Sequence, residues 1–223
     1  MPVLFVDLDG TLADRDAAVA RWAAEIVADR GLPASLVDAV IAADGRGLRP
    51  KPQVAADLVG LLGLSDQESR TIIEDLRAGV VRHVALVSDA EPALARARKA
   101  GWTIIIVTNG ATHQQQAKLD KLGVAPMVDG CVISEACGVE KPDPEIFRLA
   151  LSTVPGTDSL GAWHIGDSAE ADIQGAHDFG IRSVYLRHGR DWTPGIAAPT
   201  AFADSFGEAV DVVLASTDLP SGS

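Results

Sequence analysis

After residue 85 the sequence alternates between short apolar runs and longer stretches with helical spacing. Nothing else in the chain restricts its fold as much. Trp102–Val107, Cys131–Ser134, Ala162–Ile165 and Ile181–Leu186 read as strands. Ala93–Ala100, Thr112–Leu122, Pro144–Leu151 and Ala169–Phe179 read as helices. Gly101, Gly123 and Gly180 follow three of these helices, where a left-handed cap is needed. Asp143-Pro144 offers an N-cap followed by a first-turn proline. Strand–helix–strand repetition requires right-handed crossovers, and so a parallel sheet with helices on both faces. The opening run Val3–Asp7 belongs to that sheet, because a strand covered on both faces is apolar throughout.

Residues 14–84 follow a different pattern. Val19, Trp22, Ala23, Ile26 and Val27 recur at helical spacing, as do Val54, Leu58, Leu61 and Leu62. Leu36, Val40 and Ile41 mark another helix, and Ile72, Ile73 and Leu76 a fourth. No strand run interrupts them. The expected organisation is an α/β core domain over 1–13 and 85–215, a helical domain inserted over 14–84, and a flexible polar tail over 216–223. A chain of 223 residues suits a main domain with a smaller insertion.

In open parallel sheets ligands bind beyond the carboxyl ends of the strands. Read in order, those ends carry Asp7-Leu8-Asp9-Gly10-Thr11, Thr108-Asn109-Gly110, and Gly166-Asp167 with Asp172; Lys141-Pro142 lies in the loop before the helix at Pro144. Asp7 and Asp9 are one residue apart, and close carboxylates repel. With Asp167 they form a hard, oxygen-only set suited to Mg²⁺, which would keep Asp7 ionised. Lys141 adds a fixed positive charge, and Thr108 with the amides around Asn109 and Gly110 adds hydrogen-bond donors. A carboxylate nucleophile, a metal, a lysine and donors together suit phosphoryl transfer. Asp9 can then protonate the leaving oxygen and later deprotonate the attacking water.

Composition narrows the partners. Nineteen Lys and Arg against 31 Asp and Glu give a net charge of −12, a field that repels nucleic acid and anionic membranes. Nine basic and eleven acidic residues fall in the insertion, so it carries only −2 of that total. No apolar run reaches the roughly 18 residues of a membrane span, and no secretory leader is visible. Two cysteines, Cys131 and Cys137, are too few for a disulfide framework and are read as reduced, buried thiols. A cytoplasmic location is expected.

The strand-end motifs resemble those of the haloacid dehalogenase superfamily, all four in order. Asp7-Leu8-Asp9-Gly10-Thr11-Leu12 matches the first, Thr108-Asn109-Gly110 the second, Lys141-Pro142 the third, and Gly166-Asp167-Ser168-Ala169-Glu170-Ala171-Asp172 the fourth. The resemblance implies a Rossmannoid α/β core with a small all-helical cap, and a phosphatase of small metabolites working through an aspartyl-phosphate on Asp7. Asp9 would be general acid and base. Mg²⁺ would be held by Asp7, the Asp9 backbone carbonyl and Asp167, with Asp172 supporting. Thr108, Asn109, Gly110 and Lys141 would bind phosphate. Members that remove halogens lack the second aspartate as an acid, so Asp9 points to phosphoryl chemistry. A phosphomutase, and a silent phosphate-binding module, are the competing readings.

Other polar residues are less telling. His164 is read as packed in its strand, His113 as solvated, and Gln114, Gln115 and Gln116 as an exposed helix face. Trp22 is read as core. The loop Asp44-Gly45-Arg46-Gly47-Leu48-Arg49-Pro50-Lys51 either contacts a leaving group through Arg46 and Arg49 or is an ordinary interhelical loop. Arg15 presents the same two readings.

Overall fold

Six parallel strands form one sheet in the order β3-β2-β1-β4-β5-β6. They are β1 (Val3–Val6), β2 (Thr103–Thr108), β3 (Gly130–Ile133), β4 (Trp163–Gly166), β5 (Arg182–Leu186) and β6 (Ala201–Ala203). The computed structural model describes residues 1–192 and 196–216. The chain packs as two compact units, Met1–Ala13 with Leu86–Ser223, and Asp14–Ala85. All but Ser216 of the tail expected at 216–223 lies outside the described residues.

β1 and β2 are buried along their whole length, as strands built from Val, Leu, Phe and Ile must be when both faces are covered. Alternate side chains point to opposite faces. Val3, Phe5, Ile105 and Val107 pack against Ile146, Phe147 and Ala150 of one flanking helix. Phe147 meets Phe5 edge-on at 5.4 Å and stacks on Phe179 at 5.5 Å. Leu4, Val6, Ile104 and Ile106, buried on the other face, are covered by two further helices.

β1 sits between β2 and β4, and this order positions the site. Strands lie about 4.8 Å apart, so Asp7, Thr108 and Asp167 fall side by side where the order of successive strands reverses. Val6 is level with both Ile106 and Ile165. The Asp7 amide continues the ladder by donating to the Ile165 carbonyl at 3.0 Å.

The Asp14–Ala85 unit is helical: α1 (Arg15–Asp29), α2 (Val37–Asp44), α3 (Lys51–Leu62), a single turn α4 (Asp66–Ser69) and α5 (Ile72–His83). Asp14 caps α1 by accepting from the Ala17 amide at 3.0 Å. Trp22 is core, as expected, and packs closely against Gly79 of α5. A Cβ at Gly79 would stand 2.1 Å from its ring.

The other unit carries α6 (Ala90–Lys99), α7 (Thr112–Leu122), α8 (Ser134–Cys137), α9 (Glu145–Ser152), α10 (Gly175–Phe179) and α11 (Phe206–Ala215). The strands fall within a residue of their expected positions at most ends. Three expectations change. Ala169–Gln174 is a wide π-type turn in place of the start of one long α-helix. β6 and α11 extend the sheet beyond the last expected strand. Cys131, on the edge strand β3, is exposed, and Cys137, the last residue of α8, is half-buried; both thiols are free. Among the described residues no helix is long and apolar enough to cross a membrane.

Candidate active site

The loops after β1, β2 and β4, together with Lys141, converge at the carboxyl edge of the sheet. Gly10 allows the first of these to turn. It adopts φ +80°, and a Cβ there would lie 2.7 Å from Asp167 Oδ2. Gly166 plays a similar part under Asp172, where a Cβ would come within 2.2 Å of the carboxyl carbon. Ser168 caps the following turn by accepting from the Ala171 amide at 3.1 Å. The π-type turn points the Asp172 side chain back towards the strand end.

Lys141 is the centre of the cluster. Its ammonium is buried and donates at 2.7 Å to Asp7 Oδ1, to the Val107 carbonyl and to Asp172 Oδ1. The Asn109 side chain anchors the loop that delivers it. Nδ2 donates to the Lys141 carbonyl at 2.8 Å, and Oδ1 accepts from the Lys141 amide at 2.9 Å. Both ends of that amide thus hold lysine backbone. The Gly110 amide donates to Ser134 Oγ at 3.0 Å. Of the expected phosphate donors in this motif, the Thr108 hydroxyl remains the side chain at the sheet edge.

Burial pushes the Asp7 carboxyl up to about 8, against the pull of Lys141, and the charges of Asp172 and Asp167 push the same way. Burial also acts on Asp172, but Lys141 and His164 outweigh it and hold that carboxyl well below its ordinary value. Lys141 is raised: burial disfavours its charge, yet Asp172 and Asp7 favour it more. His164 is packed, as expected, edge-on to Phe147 at 5.1 Å. Burial lowers its pKa, and because a carboxylate only accepts, Nε2 donates to Asp172 Oδ1 at 2.8 Å.

Asp7, Asp167 and Asp172 each bring a carboxylate oxygen within 4.8 Å of the others. Asp7 and Asp172 share the Lys141 ammonium with Asp167 close by, and Asp7 is pushed towards its neutral form. Such a donor set fits a hard divalent cation. Asp172 Oδ1 serves Lys141 and His164, and Oδ2 accepts from the Ser168 amide at 2.9 Å, so its place is behind the other two. The Asp9 carboxylate turns away from this cluster. Lys118 Nζ lies 2.8 and 2.6 Å from its two oxygens, and Gln115 Nε2 is 3.0 Å from Oδ2.

Gln115 and Lys118 went unrecognised in the sequence. The glutamine run reads as an exposed face, yet Gln115 is 1% and Lys118 2% exposed. The available signal was their i, i+3 spacing with Leu119 one residue on, a stripe turned inward. Arg190 was missed as well; its Nη2 donates to the Asp167 carbonyl at 2.8 Å and approaches Oδ2 at 3.2 Å. His188 Nε2 donates to the Gly10 carbonyl at 2.6 Å.

The three arginines singled out in the insertion meet acids of their own unit. Arg15 makes a two-pronged contact with Asp44 at 2.6 and 2.8 Å, Arg46 pairs with Asp16 at 3.1 Å, and Arg49 with Asp57 at 2.8 Å. Arg46 has φ +58°, between the left-handed Gly45 and Gly47. Asp44 Oδ2 closes that turn by accepting from the Gly47 amide at 3.0 Å.

A family model described as haloacid dehalogenase-like hydrolase matches residues 1–180. The phosphoserine phosphatase of Thermus thermophilus is 36% identical over 108 residues, covering 48% of this chain and 43% of that protein. The pyrimidine 5'-nucleotidase YjjG of Escherichia coli is 38% identical over 104 residues, 46% of each. The matches thus span less than half the length of either relative. YfnB from Bacillus subtilis, solved bound to magnesium, shares the fold with a TM-score of 0.76 at 22% identity, over 95% of this chain and 98% of that one.

Proposed function

This chain belongs to the haloacid dehalogenase-like hydrolases, and from that membership we propose that it is a Mg²⁺-dependent phosphomonoesterase of a small phosphorylated metabolite. One observation carries the reading. A buried lysine holds one carboxylate at the centre of a parallel sheet, and a second carboxylate stands two residues further along the same loop. Relatives named for phosphoserine and pyrimidine nucleotide hydrolysis support the same chemistry.

In this mechanism a carboxylate oxygen of Asp7 attacks phosphorus in line with the leaving oxygen. Lys141 offsets the charge on the phosphoryl oxygens, and the Thr108 hydroxyl donates to one of them. Asp9 gives its proton to the leaving oxygen, so the alcohol departs neutral. Asp9 then takes a proton from water, whose oxygen attacks the aspartyl-phosphate and releases inorganic phosphate and free Asp7. Oxygens of Asp7, the Asp9 carbonyl and Asp167 would hold Mg²⁺, with Asp172 behind them, and the ion would serve as Lewis acid to the transferring group. Asn109 acts here through Lys141, whose backbone it grips. The Asp14–Ala85 unit is proposed as the cap that distinguishes one metabolite from another.

The test is phosphate release from para-nitrophenyl phosphate with Mg²⁺, with chelator, and with Asp7→Ala. Magnesium-dependent release that disappears in the variant is expected, along with an acid-stable, hydroxylamine-sensitive phosphoryl adduct in the parent. A folded parent that binds Mg²⁺ but hydrolyses neither this ester nor a metabolite panel would overturn the proposal. Activity persisting in Asp7→Ala would remove the nucleophile.

A further inference from the structure

Beyond the four sequence motifs, α7 inserts two buried polar side chains into the strand-end region. Lysine is almost never fully buried unless its charge is met. Lys118 is 2% exposed and is completely matched: its Nζ reaches both oxygens of Asp9, at 2.8 and 2.6 Å, and Gln115 Oε1 at 2.8 Å. Because an ammonium only donates and a carboxylate only accepts, these neighbours fix the orientation of the Gln115 amide. Its oxygen faces Lys118. Its nitrogen spends one hydrogen on Asp9 Oδ2 at 3.0 Å and the other on Thr108 Oγ1 at 2.6 Å. Thr108 therefore accepts from Gln115, and its own hydroxyl proton points elsewhere.

From this network we propose that Gln115 and Lys118 are positioning residues. Lys118 fixes the Asp9 carboxylate in place, and Gln115 aligns it with a Thr108 hydroxyl kept as a donor. The proposal rests on the phosphatase reading, in which Asp9 is the acid and base and Thr108 contacts phosphate. A side chain with two free torsions delivers its proton efficiently only when held within about half an ångström of the productive geometry. Asp9 is the one member of the network open to solvent, with its side chain 22% exposed. The two helix residues sit behind it, out of reach of substrate.

Leaving-group dependence separates this role from mere packing. A nitrophenolate departs readily without a proton, whereas a simple alkoxide needs one. Lys118→Met should lower kcat/KM, which reports only the steps up to leaving-group departure, at least tenfold more for an alkyl phosphate than for para-nitrophenyl phosphate. Asp9→Asn should give the same imbalance, and the double variant should lose little more than either single one. Lys118→Arg should recover part of the alkyl ester rate. Gln115→Leu keeps the ion pair and serves if Lys118→Met does not fold. It should weaken inhibition by inorganic phosphate several-fold, through Thr108. Equal losses of kcat/KM on both esters, or losses that multiply with Asp9→Asn, would overturn the proposal and leave the phosphatase reading intact. A folded parent inactive on both esters would sink that reading, and this inference with it.

Discussion

Arg15 offers a clean separation between a substrate contact and a structural one. Its guanidinium meets both oxygens of Asp44 at 2.6 and 2.8 Å, with side chains 11% and 2% exposed. Burial alone would raise the Asp44 carboxyl, but the hydrogen bonds and charge of Arg15 outweigh it and hold it below the ordinary 3.8. The depressed value means the pairing contributes stability above pH 3.8 and loses it only as pH falls through the lower folded value. Arg15→Met strands a buried carboxylate, which costs about 3–5 kcal/mol when one partner of such a pair is removed. Asp44 can escape by taking a proton, and at pH 7 that costs about 4 kcal/mol for an ordinary carboxyl. At pH 5 the same escape costs only about 1.6 kcal/mol. With a urea m-value of about 2 kcal/mol/M, the unfolding midpoint should fall by about 2 M at pH 7 and by under 1 M at pH 5. Circular dichroism in urea at the two pH values measures this, and Arg15→Met/Asp44→Asn should recover most of the loss. Equal losses at both pH values, or a loss below about 1 kcal/mol, would refute the argument. So would an Arg15→Met variant of parental stability whose KM for substrate rises, since that is the signature of a leaving-group contact.

Gly10→Ala forces a side chain into φ +80° and onto the Asp167 carboxylate. Strain of about 1–2 kcal/mol should accompany weaker Mg²⁺ binding by calorimetry, and parental affinity would show that Asp167 yields without consequence. Phe147→Ala removes the ring that joins Phe5, Phe179 and His164. It should cost about 3–5 kcal/mol in chemical denaturation, and a loss under about 1 kcal/mol would mean that the helix closes the gap.

The core strands were readable because a strand buried on both faces needs an unbroken apolar run, and Val3–Val6 and Thr103–Thr108 have one. The motif residues were readable because Asp7, Asp9, Thr108 and Asp167 sit where such runs stop. β6 is three residues long at the sheet edge, too short for a periodic signal. Cys131 follows the residue-type tendency of thiols to be buried, which an edge position overrides. Gln115 and Lys118 were hidden for a different reason. Their burial depends on Asp9, more than a hundred residues away in the chain, and composition within a helix does not reveal a distant partner. The π-type turn at Ala169–Gln174 is set likewise by tertiary demand, because Asp172 must reach back to Lys141.

The chain leaves the α/β unit after Ala13 and re-enters it at Leu86, and these two residues pair as neighbouring backbone, with the Val87 amide donating to the Leu12 carbonyl at 2.9 Å. A 72-residue excursion, Asp14–Ala85, thus begins and ends at a single point of the sheet unit. Evolution or an engineer could exchange the helical module for another of different shape without cutting a strand or displacing Asp7. On the proposed reading, in which the inserted unit distinguishes metabolites, reaction chemistry and choice of metabolite would be separately heritable, and a library of grafted inserts between Ala13 and Leu86 would test it.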